Sequence, residues 1–299
     1  MAEISLGFTQ GAIYGRIMTG LSPVLREATA ALEGISPTPR LDAELLLAHA
    51  LGLDRSAMLL RQHDLAAPES FTDLLARRVA DEPVAYITGV QAFWDLELSV
   101  TPDVLIPRAD SETLLMAAMD WFSAKDRPMR IADLGTGSGA LLLAALSIFP
   151  DALGIGIDAS AGALAVARNN AQRLQFADRA RFEQRDWTQA GWSEGLGPFD
   201  LILCNPPYIE DSYILAPMVS AHEPHSALFA GADGLNDYRI LIPSLRDYLH
   251  PGGVAFFEIG YNQADSVCAL GAELGYLTEL RHDFGGNPRV IRFSLGIEE

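Results

Sequence analysis

Cysteine is scarce in this chain of 299 residues: there are two, Cys204 and Cys268, far apart and without CxxC spacing. That argues against a disulfide framework and fits a reducing, cytoplasmic setting. Basic charge is also in short supply, with 21 Lys and Arg against 39 Asp and Glu, a net charge of −18. Phosphate contacts supply most non-specific affinity for nucleic acid, so this balance speaks against direct nucleic-acid binding, although a local patch such as Arg77/Arg78 is compatible with it. An acidic surface suits a basic protein partner better. Long hydrophobic runs are missing too. LLLAALSIF at 141–149 falls well short of the roughly 20 residues of a membrane span, so no membrane partner is expected. The first twenty residues, MAEISLGFTQGAIYGRIMTG, lack the basic-then-apolar order of a signal peptide, with Arg16 as their one basic side chain. The amphipathic pattern starts after Met18, so the first 17 residues are expected to be a loose extension upstream of an alternative start.

What is present is an ordinary globular composition, 49% apolar and 20% charged. Leu21, Val24, Leu25, Ala28 and Leu32 recur at helical spacing, and LDAELLLAHALGL follows Pro39 as a second helix ending near Gly52. Shorter helices are expected over 55–62 and 68–80. Residues 83–108 read as a β-hairpin linker. Trp94, Leu96, Leu98 and Val100 alternate as a strand, Thr101-Pro102-Asp103 is turn chemistry, and Val104–Ile106 returns as the second strand.

From Ser111 the pattern becomes helix 111–122, strand MRIADL, helix 140–149, strand LGIGI, helix 161–175, and strands ARFEQ and FDLILC. Helix 237–249, strand GVAFFEI and helix 263–274 follow. This alternation predicts an α/β fold with a parallel sheet covered on both faces. TELRHD, the short turn FGGNPR and VIRFSLG then form a terminal antiparallel hairpin. The expected divisions are an extension over 1–20, a small N-terminal helical bundle over 21–82, the hairpin linker over 83–108, and the sheet domain over 109–299.

DLGTGSG, residues 133–139, lies between a strand and a helix, where Gly135, Gly137 and Gly139 let backbone approach a ligand closely. The next strand ends at Asp158, nineteen residues past Gly139, placed to accept hydrogen bonds from both hydroxyls of an adenosine ribose. A dinucleotide fold has G-x-G-x-x-G and helix-start amides facing pyrophosphate. Here the spacing is G-x-G-x-G, and Asp133 would repel a pyrophosphate and attract a cation. S-adenosylmethionine, with a sulfonium and an ammonium and no phosphate, fits this loop; a purely structural tight turn is the blander reading. After the third strand, Asp186 could bond an adenine amino group and Trp187 could stack beside the ring. A capping Asp and a core Trp would explain the pair equally well.

The strand FDLILC stops in Asn205-Pro206-Pro207-Tyr208. A proline-stopped strand is one explanation. The chemical one is that the prolines fix the turn, so the Asn205 side-chain oxygen and the Pro206 carbonyl oxygen become two acceptors able to grip one NH₂, with Tyr208 as a flat face. The target is a planar amide-like or aniline-like nitrogen, a poor nucleophile that such acceptors would orient and enrich in electron density. His222-Glu223-Pro224-His225 is a poor metal motif, because Pro224 breaks the helix it would need. Cys204 reads as a small buried side chain, and Arg108 as either a ligand contact or a linker ion pair.

With these residues the chain resembles the release-factor glutamine methyltransferase family, the HemK/PrmC proteins. The resemblance runs from Leu21 onward through PVAYITG, VLIPRADSETL, IADLGTGSGALLLAAL, FDLILCNPPYI, EPHSALFAGADGL and GGNPRV. It departs at Ala109, where the family usually has Pro, and matches weakly over 210–221, expected to be part of a lid.

The resemblance implies a Rossmann-like class I methyltransferase sheet. It also implies methylation of the glutamine amide in the Gly-Gly-Gln loop of class I peptide chain release factors, with S-adenosyl-L-homocysteine as product and no metal. Gly135, Thr136, Gly137, Ser138, Gly139, Asp158, Asp186, Trp187 and Asn205 would hold the cofactor. Asn205, Pro206, Pro207 and Tyr208 would receive the glutamine, with Asn205, Pro206 and Tyr208 catalytic, and the helical domain would dock the release factor to a monomeric enzyme. A ribosomal-protein glutamine methyltransferase is the nearest alternative. An adenine-N6 nucleic-acid methyltransferase shares Asn-Pro-Pro-Tyr but is disfavoured by the charge. A cofactor-binding module without catalysis is disfavoured by the intact Asn205 and Tyr208.

Overall fold

The computed structural model describes residues 20–123 and 125–296, so the expected extension over 1–17 lies outside the described residues. The chain forms two compact units, one ending at Thr88 and the other beginning at Gly89.

The first unit is helical: α1 (Ser22–Leu32), α2 (Pro39–Leu51), α3 (Arg55–Leu60), α4 (Ser70–Val79) and α5 (Val84–Thr88). Leu25 and Leu32 of α1, Leu46 and Leu47 of α2, Met58 and Phe71 form its core. Gly52 ends α2 in the left-handed conformation at φ 64°, which no β-carbon hinders. α2 is polar even on its buried side. Asp42 takes a hydrogen bond from Thr38 Oγ1 at 3.0 Å and pairs at 2.8 Å with Arg78, a guanidinium fully buried in the bundle. A buried pair of this kind holds register more than it adds stability.

The hairpin differs from its expected form. Val84–Thr88 is a helix, and the strands are β1 (Val90–Phe93) and β2 (Leu96–Ser99), paired Phe93↔Leu96 across a turn at Trp94-Asp95. Thr101-Pro102-Asp103 is not the hairpin turn, and Val104–Ile106 forms no strand. Trp94, expected inside a strand, takes φ 56° in the turn and donates its backbone N–H to Glu112 Oε1 at 2.9 Å. Neither residue of the turn carries the Asn-Gly signal that usually marks one. The hairpin also packs within the second unit, where Phe93 and Leu98 join that unit's core.

The second unit continues with α6 (Glu112–Phe122), β3 (Arg130–Leu134), α7 (Ala140–Ile148), β4 (Leu153–Asp158), α8 (Ala161–Arg173), β5 (Ala180–Gln184) and β6 (Phe199–Cys204). It ends with α9 (Pro217–His222), α10 (Asn236–Tyr248), β7 (Leu249–Glu258), α11 (Ala264–Glu273), β8 (Tyr276–His282) and β9 (Pro288–Leu295). The seven-stranded sheet has the order β5-β4-β3-β6-β7-β9-β8, parallel except where β9 pairs antiparallel with β7 and β8. β6 shows why the sheet needs cover on both faces. Leu201 and Leu203 enter one core with Leu142 and Phe256, while Ile202 and Cys204 enter the other with Tyr238 and Leu241.

Candidate active site

The chain runs outward from β3 through β4 to β5, then crosses back to lay β6 on the other side of β3. That reversal opens a crevice beyond the carboxyl ends of β3 and β6, the place where open α/β sheets bind ligands. A cavity of about 950 Å³, counting its open mouth, lies there. Its wall includes Gly135, Thr136, Gly137, Ser138, Asp158, Trp187, Asn205 and Pro207. Eight residues expected from separate stretches of sequence thus meet in one site.

The glycine loop is anchored from beneath. Gly135 and Thr136 both donate backbone N–H to Ile157 O at 2.9 Å, fastening the loop to the end of β4. Gly135 has φ 76°, which favours glycine, and a β-carbon there would crowd the Trp187 ring at 3.1 Å. Asp133 is fully buried under the loop rather than at the cavity wall, with Thr136 Oγ1 donating to its Oδ2 at 2.6 Å. Its Oδ1 has no partner among the described residues. Burial pushes its carboxyl up to about 7; the hydrogen bond from Thr136 opposes this, and the nearby Asp158 charge adds to it.

Asp158 faces the cavity with a backbone donor at each of its oxygens and a further backbone contribution from Ala159. Ser160 N–H reaches Oδ1 and Gly137 N–H reaches Oδ2, both at 2.9 Å. Burial raises its pKa, partly countered by the donors from Ser160, Gly137 and Ala159. Each oxygen keeps a lone pair for a hydroxyl of a ligand.

Trp187 is held by its indole N–H, which donates to Asp237 Oδ1 at 2.6 Å. Trp187→Phe removes that bond and leaves Asp237 half-buried without its donor, an expected loss of about 1–2 kcal/mol. Thermal unfolding should show a midpoint lower by a few degrees; an unchanged midpoint would mean that water replaces the indole at no cost. Asp186 does not reach the cavity wall. It accepts from the Thr188 backbone N–H and hydroxyl and from Gln189, and the Thr188 hydroxyl leads in holding its carboxyl below the usual range. Asp186 here closes a local turn with Thr188 and Gln189.

At the end of β6, Asn205 donates Nδ2–H to Ser111 Oγ at 3.2 Å. Its carbonyl oxygen takes no hydrogen bond from the described residues. Pro206 is buried and Pro207 lines the cavity. Tyr208 lies outside the lining, as does Gly139. The Tyr208 hydroxyl donates to Glu258 Oε1 at 3.3 Å, its backbone N–H donates to Leu228 O at 3.2 Å, and burial raises its pKa.

Sequence reasoning overlooked Glu258 and Ser111. Glu258 is fully buried at the end of β7 and accepts from Ser111 Oγ at 2.5 Å. Burial pushes it up to about 7, opposed by the hydrogen bond from Ser111 and the charge of Arg289. The available signal was an acid ending the apolar run VAFFE. Arg108 lines the cavity and pairs with Glu223, which also accepts from Ile106 N–H at 3.3 Å. Glu223 thereby ties the segment before α6 to the segment after α9. Cys204 is buried, with its thiol pushed up by that burial. No group of three or more His, Cys, Asp or Glu suited to a metal ion occurs among the described residues.

The family described as PrmC N-terminal domain matches residues 23–89, and the one described as Methyltransferase domain matches 125–259. A release factor glutamine methyltransferase of Rhodospirillum rubrum is 43% identical over 85% of this chain and 78% of its own length. One of Burkholderia pseudomallei is 41% identical over 88% and 95%, and one of Coxiella burnetii 36% over 92% and 98%. Among solved structures, the hMettl16 catalytic domain in complex with a MAT2A 3′UTR hairpin superposes with TM-score 0.54 at 13% identity. It covers 76% of this chain and 83% of that one, a likeness of fold alone.

Proposed function

The chain belongs to the release factor glutamine methyltransferase family, and we propose that it methylates the glutamine side-chain amide in the Gly-Gly-Gln loop of class I peptide chain release factors. The methyl donor is S-adenosylmethionine and the product S-adenosylhomocysteine. The observation that carries this reading is Asn205, on the wall of the same cavity as the glycine loop and Asp158, with its amide nitrogen already engaged and its carbonyl oxygen free.

The residues present fit that cofactor. The backbone of Gly135 and Gly137 approaches without side chains, Asp158 keeps an acceptor site on each oxygen for a ribose diol, and Trp187 supplies an aromatic wall. No Lys or Arg lies in the loop to meet a pyrophosphate. When bound, S-adenosylmethionine supplies a methyl group activated by its sulfonium.

The protein's part is orientation and polarisation. An amide nitrogen is a poor nucleophile because its lone pair is delocalised into the carbonyl. Asn205 Oδ1 and the Pro206 carbonyl oxygen accept its two hydrogens, return electron density to nitrogen and fix the direction of the lone pair. The charge that develops on nitrogen makes its remaining protons acidic, so water can take one without a dedicated base. Tyr208 and Pro207 support the planar group, and the helical unit over 20–88 docks the body of the release factor. A cytoplasmic, monomeric enzyme is part of this proposal. No helix among the described residues is long and apolar enough to cross a membrane.

The test is transfer of labelled methyl to three acceptors: a release factor, the same factor with its loop glutamine changed to alanine, and mixed DNA and RNA. Label confined to the intact factor is the expected result. Label on the alanine variant or on nucleic acid would overturn the assignment.

A further inference from the structure

Ser111 Oγ stands between two partners. Glu258 Oε2 is 2.5 Å away on one side and Asn205 Nδ2 3.2 Å away on the other. A hydroxyl has one hydrogen to give, and an ionised carboxylate can only accept. The Ser111 hydrogen therefore goes to Glu258, and Ser111 can offer Asn205 nothing but a lone pair. The Asn205 amide must answer with its NH₂, and its carbonyl oxygen is turned away from Ser111. The same carboxylate, through Oε1, takes the Tyr208 hydroxyl at 3.3 Å. One buried acid thus grips both ends of the Asn205–Tyr208 turn.

We infer that Ser111 and Glu258 are positioning residues that set which end of the Asn205 amide meets the substrate nitrogen and that hold the Tyr208 ring beside it. The inference rests on the methyl-transfer reading but needs only a planar NH₂ acceptor. If the relay ran the other way, Asn205 would present a donor to a substrate group that is itself a donor. Asn205 alone cannot choose between its two orientations, because amide oxygen and nitrogen are nearly the same size. The choice is made by the charge state of the group two bonds away.

Glu258 is enclosed by Arg289 from β9, Asp110 before α6, Tyr208 and Cys204 from β6 and its continuation, and Tyr238 from α10. Arg289 favours the anion but is shared with Asp110 at 3.2 Å and Asp283 at 3.3 Å. Tyr238 donates its hydroxyl to the Glu258 backbone oxygen at 2.7 Å, so it leaves the carboxylate free for Ser111 and Tyr208. With a carboxyl pushed up to about 7 mainly by burial, the relay is in its working polarity above that pH. Below it a protonated Glu258 can donate to Ser111, the Ser111 hydrogen turns to Asn205, and the amide reverses. Activity should therefore fall as pH drops through about 7. Asp133, also pushed to about 7, titrates in the same range, so the variants must separate the two.

The experiment compares wild type, Ser111→Ala, Ser111→Thr and Glu258→Gln from pH 6 to 8.5, measuring kcat and KM for methyl transfer and S-adenosylhomocysteine affinity by calorimetry. Ser111→Ala is expected to lower kcat about 10–100-fold with cofactor affinity unchanged, the scale on which small misplacements slow oriented reactions. Ser111→Thr keeps the hydroxyl and should restore most of the rate. Glu258→Gln should lose the acid limb near pH 7. The inference is overturned if Ser111→Ala stays within twofold of wild type, if Glu258→Gln keeps the limb, or if cofactor affinity falls in step with kcat. If wild type labels adenine instead of the release factor, the glutamine reading fails while the relay is judged by the same ratios. No label on any acceptor overturns both.

Discussion

Asn205→Ala is expected to lower kcat for methyl transfer by about 10²–10³-fold while leaving S-adenosylhomocysteine affinity within about threefold. Removing the side chain deletes one of the two acceptors that hold the substrate amide, and the Pro206 carbonyl alone cannot fix its rotation. The loss falls on kcat because these hydrogen bonds strengthen as charge develops on nitrogen, whereas the bound amide is still nearly neutral. The fold should tolerate the change, since Asn205 is half-buried and its side chain bonds only Ser111 among the described residues. Single-turnover rates and calorimetry on the same protein separate the two quantities. A variant that loses cofactor affinity as steeply as rate would leave Asn205 only the cofactor-holding role that the resemblance also implies.

The sheet was legible because its signals are local. Leu201, Ile202 and Leu203 form an unbroken apolar run, as a strand buried on both faces must, and the short Gly-rich turn at 284–287 forces β8 and β9 to pair antiparallel. The connector was harder to read. Trp94 favours strands, yet here its backbone closes a two-residue turn through a contact to Glu112, eighteen residues away. Val84–Thr88 alternates poorly enough to pass for linker but winds into a helix whose Ala85, Tyr86 and Ile87 are buried. Tertiary contacts, absent from any local window, decided both.

The site divides along the same line. Gly135–Ser138, Asp158 and Asn205 announce themselves by spacing, because a ligand-binding loop must follow its strand at once. Glu258 and Ser111 are 147 positions apart and meet only because β7 lies beside β6 and the start of α6 packs over their ends. Asp186 follows β5 in the same way, and in the structure its carboxylate accepts from Thr188 two residues on.

Asp158→Ala should weaken cofactor binding by about 10²–10⁴-fold. Two hydrogen bonds from a ribose diol to an ionised carboxylate are worth about 1.5–3 kcal/mol each, and the range follows from losing both. The substitution also frees Gly137 N–H, which the carboxylate holds at 2.9 Å, so the loop loses its tie to β4 at that point. Asp158→Asn should recover only part of the loss. An amide has one acceptor, and its NH₂ would face either the Gly137 or the Ser160 donor. Stability should behave differently from affinity. Burial raises the Asp158 pKa above its unfolded value, so its contribution to stability is fully present below the unfolded pKa and is lost as pH rises through the folded one. The charged carboxylate is therefore the form that burial disfavours, and the alanine variant should unfold within a few degrees of wild type. The measurement is a calorimetric titration with S-adenosylhomocysteine beside a thermal melt without it. Affinity within threefold of wild type would remove Asp158 from the binding site. A collapse of the melting midpoint would make it a structural residue whose loss reaches the ligand only through the loop.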